Sequence, residues 1–137
     1  MAKMYSIEKF LVNSRLDYLF HKFFGISKLL KTMIVTEPKN ILEVGSGIGY
    51  TTELIREKFP ASSLTVIDYD ESQVEIAKKR LADLNINITQ GDATMLLFDE
   101  NNFDACFSSF LLHHIPNYRD ALKEIYRVLK PHGHLYI

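Results

Sequence analysis

The sequence predicts an α/β fold: a mainly parallel sheet with helices on both faces. Three observations carry that expectation. From about Asn40 onward, short apolar or β-branched runs alternate with helical periodicities, the order of repeated βαβ units. The first run, Asn40-Ile41-Leu42-Glu43-Val44, ends in glycines on alternate positions (Gly45, Gly47 and Gly49), and a helical pattern follows directly. The second run, Leu64-Thr65-Val66-Ile67-Asp68, stays apolar or β-branched up to a closing carboxylate, as expected of a strand buried on both sides.

Before the first strand lies a helical preface. Ile7, Phe10, Leu11, Leu16, Leu19, Phe20, Phe23 and Phe24 keep amphipathic spacing from about Ser6 to Phe24, and Gly25 is a natural stop. Ser27 is the expected N-cap of a further segment through Leu29, Leu30, Met33 and Ile34, closed by Pro38. Residues 1–38 are therefore expected to form a helical cap, packed on the sheet edge or acting as a lid, and 39–137 the domain that it joins.

The remaining elements follow in order. A helix from about Gly49 to Phe59 buries Leu54, Ile55 and Phe59, and Pro60 ends it. After the second strand, Asp70 and Ser72 are cap candidates. Ser72-Gln73-Val74-Glu75 fits a capping box, with Val74, Ala77, Leu81 and Leu84 as the buried stripe. A third strand, Ile86 to Gln90, leads into Gly91-Asp92-Ala93. The fourth, Phe103 to Ser108, follows the turn Asp99-Glu100-Asn101-Asn102. A helix from about Tyr118 to Leu129 buries Ala121, Leu122, Ile125, Val128 and Leu129. Pro131 is expected to end it, and His132-Gly133 to turn the chain into a short fifth strand, Leu135-Tyr136-Ile137.

Composition narrows the functional classes. A formal net charge of -1, with charges spread along the chain, argues against a nucleic-acid footprint or a polybasic membrane patch. Cys106 is the only cysteine. It is read as core, it excludes an intramolecular disulfide and multi-Cys zinc patterns, and it agrees with a reducing cytoplasm. No apolar run approaches a membrane span or signal core. The chain is read as soluble, cytoplasmic and unprocessed, a setting that favours small-molecule chemistry.

The strand ends supply the candidate site. The glycine loop lets the backbone take positive φ and approach a ligand, while the first turn of its helix offers unpaired N–H groups. Asp68 lies 19 residues beyond Gly49, where dinucleotide folds place an acid that accepts from two ribose hydroxyls. With Asp70 and Ser72 as caps, Asp68 is expected to be left for ligand. Glu43, Asp68 and Asp92 thus close three successive strands on one edge. Two details argue against a pyrophosphate: the large Tyr50 follows Gly49, and Glu43 precedes the loop, where a carboxylate suits a cationic ligand.

These residues resemble the class I S-adenosylmethionine-dependent methyltransferases, in particular the small-molecule type related to ubiquinone and menaquinone methyltransferases. Ile41 to Gly49 looks like the family's first motif, Val66-Ile67-Asp68-Tyr69-Asp70 its second, Gly91-Asp92-Ala93 its third and Phe103 to Ile115 its fourth. Leu122 to Leu135 resembles the stretch leading into the fifth strand. The resemblance implies a Rossmann-like three-layer sandwich of strand order 3-2-1-4-5. It implies that Glu43, with Gly45, Ser46, Gly47, Gly49 and Tyr50, forms the loop that holds the methionine part of the cofactor. Asp68 would take the ribose hydroxyls, and Tyr69 would lie beside the adenine. Asp92 would accept from the adenine amino group and Ala93 would offer its N–H. Ser109, or its neighbour Ser108, would present a carbonyl near the methionine ammonium, and Leu112 and His113 would face the site. His113 or His114 could act as a base, although histidine here is often structural in the family. No third ligand has suitable spacing for a metal.

The family's last two strands are absent from the sequence and would leave one apolar sheet edge open, so the expectation is a truncated chain, an edge covered by the N-terminal helices, or an edge paired in a homodimer. Two alternatives accompany methyl transfer to a small molecule: a cofactor-binding module that is non-catalytic or needs a partner chain, and, more remotely, an NAD-dependent oxidoreductase.

Overall fold

In the computed structural model the described residues are 26–31, 33, 37–108 and 114–137. They form helix α1 (Ile26–Lys31), strand β1 (Asn40–Val44), helix α2 (Tyr50–Lys58), strand β2 (Ser63–Asp68) and helix α3 (Glu71–Arg80). A 3-10 turn, Ala82–Leu84, precedes strand β3 (Asn87–Gln90), then β4 (Phe103–Phe107), helix α4 (Tyr118–Val128) and strand β5 (Leu129–Tyr136). The sheet runs β3-β2-β1-β4-β5 with every neighbouring pair parallel, the order and layering expected. The helix read over Ser6 to Phe24 lies outside the described residues.

Alternation along the strands divides the core in two. Ile41, Val66, Ala105, Phe107 and Tyr136 face one side with Leu54, Ile55, Val74, Ala77 and Leu81 of α2, α3 and the turn after it. Leu42, Val44, Ile67 and Cys106 face the other, against Ala121, Ile125 and Val128 of α4. Each fully buried aliphatic side chain here contributes about 1.5–3 kcal/mol, so the sheet is held from both faces. Leu30 of α1 joins the first cluster and α1 packs on α2.

Several boundaries differ from expectation. Ser27 lies within α1 rather than before it. Gly49 and Phe59 are the caps of α2 rather than its first and last turns. Asp70 alone caps α3, accepting from the Ser72 backbone N–H at 2.9 Å and its hydroxyl at 2.6 Å. The Ser72–Glu75 capping box does not form, because Ser72 is already helical and Glu75 pairs with Lys78 at 3.0 Å.

The largest difference is at β5. No turn separates it from α4: Leu129 is extended, with φ -73 and ψ 138, and is already paired with Phe103. Pro131 sits within this strand, exposed, where a missing N–H is tolerated. While β4 advances from Phe103 to Ala105, β5 advances from Leu129 to His134. The excess is absorbed in a bulge where His132 takes φ 66, so the sequence signal for a turn was real but marks an irregularity inside a strand.

Two polar clamps complete the frame. Asp104 accepts from the backbone N–H groups of Lys39 and Asn40 at 2.9 and 2.8 Å and from Lys130 Nζ at 2.8 Å, tying the amino end of β1 to β4 and β5. Arg127 donates to the Leu96 and Phe98 carbonyls, each at 2.8 Å, while Glu124 accepts from the Leu96 N–H at 2.8 Å. These bonds fasten the segment between β3 and β4 to α4.

Candidate functional site

Because all five strands are parallel, their carboxyl ends share one edge, and the chain order reverses at β1, between β2 and β4. Open α/β sheets bind ligands in the crevice at such a point. The glycine loop leaves β1 there, and Asp68, Asp92 and Ser108 close or follow β2, β3 and β4.

The loop is fixed by backbone and carboxylate bonds. Gly45 N–H donates to the Ile67 carbonyl at 2.8 Å, and Gly49 N–H donates to the Ser46 carbonyl at 3.0 Å. Gly45, Gly47 and Gly49 all have positive φ, 81, 53 and 86, a region that side chains resist. Two of these glycines serve different ends. A Cβ on Gly49 would stand 2.6 Å from Leu81 Cδ1, so its absence lets the loop close onto the end of α3. Among the described residues, a Cβ on Gly47 would meet only Gln73 Oε1 at 3.7 Å, so they leave space beside that glycine.

Beneath the loop, Glu43 is 1 % exposed. Its Oε2 accepts from Thr52 Oγ1 at 2.5 Å, while its buried Oε1 has no hydrogen-bond partner among the described residues. Burial pushes the Glu43 carboxyl up to about 8; the Thr52 hydroxyl bond opposes this and the Asp68 charge adds to it. The fixed negative charge expected there is therefore conditional: burial favours the protonated carboxyl, and a cation reaching it favours the ionised form.

Asp68, expected to be left for ligand, also holds the protein's own backbone. Its Oδ2 accepts from Gly47 N–H at 2.8 Å and its Oδ1 from Asp70 N–H at 2.9 Å, bonds that the glycine loop and the start of α3 need for their own backbone donors. Asp92 folds its turn similarly, Oδ1 accepting from Thr94 N–H at 2.8 Å and Oγ1 at 2.7 Å. Ala93 is fully buried beside it, and the Tyr69 carbonyl accepts from Gln90 Nε2 at 3.1 Å. Ser46 and Ser108 are buried, and the Ser108 hydroxyl has no partner among the described residues. The Tyr50 ring lies under the Arg80 guanidinium, 4.1 Å from its centroid. His114 is half-buried just past β4. Ser109, Leu112 and His113 lie outside the described residues.

Two residues escaped the sequence reading. Thr52 is fully buried beside Glu43; its signal is a hydroxyl in the first turn of the helix after the loop, close to a strand-end acid. Arg80 ends α3 and reaches the Ile48 carbonyl at 3.4 Å as well as Glu53. Its signal is weaker, because a basic last turn is common on any helix. Among the described residues no cluster of His, Cys, Asp and Glu could hold a metal ion, and no helix is long and apolar enough to cross a membrane.

Comparison with known proteins agrees with this geometry. A family model described as a methyltransferase domain matches residues 42–137. The demethylmenaquinone methyltransferase of Staphylococcus aureus is 35% identical over 124 residues, covering 89% of this chain and 51% of that protein. The chain thus spans about half the length of the curated relatives it matches. Among solved structures, the YcgJ protein of Bacillus subtilis superposes with a TM-score of 0.73 at 26% identity, over 80% of this chain and 47% of that one. An S-adenosylmethionine-dependent methyltransferase of Aquifex aeolicus gives 0.80 over 94% of this chain and 69% of that one; at 22% identity it supports the fold alone. Motif order, sheet topology and the family match together place this chain among the class I S-adenosylmethionine-dependent methyltransferases.

Proposed function

We propose that the chain binds S-adenosylmethionine at the carboxyl edge of β1, β2 and β3 and transfers its methyl group to a small-molecule acceptor. The observation that carries this reading is Glu43: a buried carboxyl under a glycine loop, one oxygen held by Thr52 and the other without a partner. An orphaned buried acceptor calls for a donor, and the ammonium of an amino-acid moiety fits it better than a pyrophosphate. Gly47, with no side chain and open space beside it, leaves room for the same ligand.

On this reading Glu43 and the loop from Gly45 to Gly49 hold the methionine part, with Ser108 or Ser109 offering a carbonyl. Asp68 serves the ribose while keeping Gly47 and Asp70 in place, and Asp92, Ala93 and Tyr69 surround the adenine. When bound, the cofactor supplies an electrophilic methyl on a sulfonium. The chain's contribution is to align it with the acceptor and exclude water. No side-chain base is required, and His113 or His114 would act only on an acceptor that must lose a proton.

Calorimetric titration with S-adenosylmethionine, S-adenosylhomocysteine and NAD tests the cofactor. Binding of the first two without NAD is expected; tight NAD binding with neither of the others would overturn the reading. A methyl-transfer assay then separates an enzyme from a binding module, and the name of the Staphylococcus aureus relative makes demethylmenaquinone the first acceptor to try.

A further inference from the structure

We propose that Thr52 is a positioning residue for cofactor binding: by donating its hydroxyl proton to Oε2 of Glu43, it presents Oε1 as the acceptor for the cationic amino-acid end of the ligand. The proposal rests on the reading of the site as one for S-adenosylmethionine.

A glutamate carboxyl turns easily about its last torsion, so a strand position alone does not aim it. Here Glu43 and Thr52 are both buried, and the 2.5 Å bond between them fixes which oxygen is occupied. Thr52 belongs to α2, the helix that begins at the glycine loop, whereas Glu43 belongs to β1. The bond therefore sets the carboxyl relative to the loop that would receive the ligand. Among the described residues, the groups facing the carboxyl are Thr52 from α2, Asp68 from β2 and Cys106 from β4. Burial raises the Cys106 thiol and keeps it neutral, which leaves Asp68 as the like charge and the Thr52 hydroxyl as the group favouring ionisation. Without that hydroxyl, both carboxyl oxygens lack a donor and the proton is held more tightly.

A role confined to fastening α2 to β1 would alter stability but not the pH profile of binding. The test is calorimetric titration of the wild type, Thr52→Val, Thr52→Ser, Glu43→Gln and the double variant Thr52→Val/Glu43→Gln with S-adenosylmethionine and S-adenosylhomocysteine. Thr52→Val is expected to weaken both ligands about tenfold near neutral pH, with the loss shrinking as pH rises past about 9, since a hydrogen bond to a charged group is at stake. Thr52→Ser restores wild-type affinity, and in the Glu43→Gln background the valine costs nothing further.

Binding by Thr52→Val within about twofold of wild type at every pH would overturn this proposal alone. Absence of binding by the wild type would overturn the cofactor reading and this proposal with it. Should Thr52→Val not fold, Thr52→Ser decides: retained affinity and pH profile support the assignment, and a tenfold loss refutes it.

Discussion

Asp68 Oδ2 accepts the backbone N–H of Gly47 at 2.8 Å, so the acid that ends β2 shapes the loop that ends β1. Its other oxygen accepts from Asp70 N–H at 2.9 Å. Asp68→Ala strands both donors and is expected to cost about 1–3 kcal/mol of stability and to weaken S-adenosylmethionine binding. Asp68→Asn, which still offers one acceptor oxygen, should lose less stability than alanine while binding about as poorly. Urea denaturation beside calorimetric titration checks the pair. Equal stability losses for the two variants would show that the backbone bonds are not the cause.

The glycines of the loop should separate by readout. Gly49→Ala adds left-handed strain at φ 86 and a Cβ 2.6 Å from Leu81 Cδ1, so it should lower stability by about 2–3 kcal/mol. Gly47→Ala, at φ 53 with Gln73 Oε1 its nearest neighbour at 3.7 Å, should cost only about 1 kcal/mol. Its methyl enters the space assigned to ligand, so affinity should fall more than about tenfold. Thermal denaturation and titration of both variants test the division. A Gly47→Ala protein that binds normally would remove this loop from the ligand's path.

Glu43 should make the protein less stable than it need be. Its carboxyl is raised by burial to about 8 from an ordinary value of 4.5, so between those values the folded state holds a proton that the unfolded state has released. The contribution of Glu43 to stability is therefore fully present below about 4.5, declines as pH rises, and is lost by about 8. Glu43→Gln should flatten that decline and gain about 1–3 kcal/mol at neutral pH and above while losing cofactor affinity. Urea unfolding of both proteins across this range reads the difference, and parallel pH profiles would count against it.

Asp104 offers the contrasting case. Burial would raise its pKa, but the Lys130 hydrogen bond, the Asn40 and Lys39 N–H bonds and the Lys130 charge outweigh that and hold it below the ordinary carboxylate value. Its stabilisation is thus present above the ordinary value and lost as pH falls through the depressed one. It lies at the amino end of β1, away from the ligand edge. Asp104→Asn should lower stability by about 1–2 kcal/mol at neutral pH and narrow the difference in acid, with cofactor affinity unchanged. A change in affinity would mean that the two ends of the sheet are coupled.

Fold class and the edge that carries the candidate site were legible because they depend on signals that recur: period-two and helical spacing, glycines after a strand, acids at strand ends; the strand order came from the family resemblance. The partners of those acids were not legible. Asp70 was legible as a cap of α3 and is its N-cap, but nothing local in Ile67-Asp68-Tyr69-Asp70 tells that Asp68 turns toward Gly47, because that bond is made by a loop 21 positions earlier in the chain. Thr52 was passed over for a related reason. Its hydroxyl matters only once α2 is laid against β1, and helical periodicity alone reads a buried threonine as packing. The early start of β5 was hidden by Pro131 and Gly133, which mark turns in most settings and here mark a bulge on a strand that, among the described residues, pairs only with β4.

The direct passage of α4 into β5 at Leu129 makes the rotation of the helix and the register of the strand a single variable. One residue added or removed at that junction would swing Ala121, Ile125 and Val128 about 100° around the helix axis or put the alternate faces of β5 out of phase. A loop would absorb such a change, and none is present. Length variation between related chains is therefore expected to spare this junction and to collect in the turn at 99–102, where Asn101 already takes positive φ.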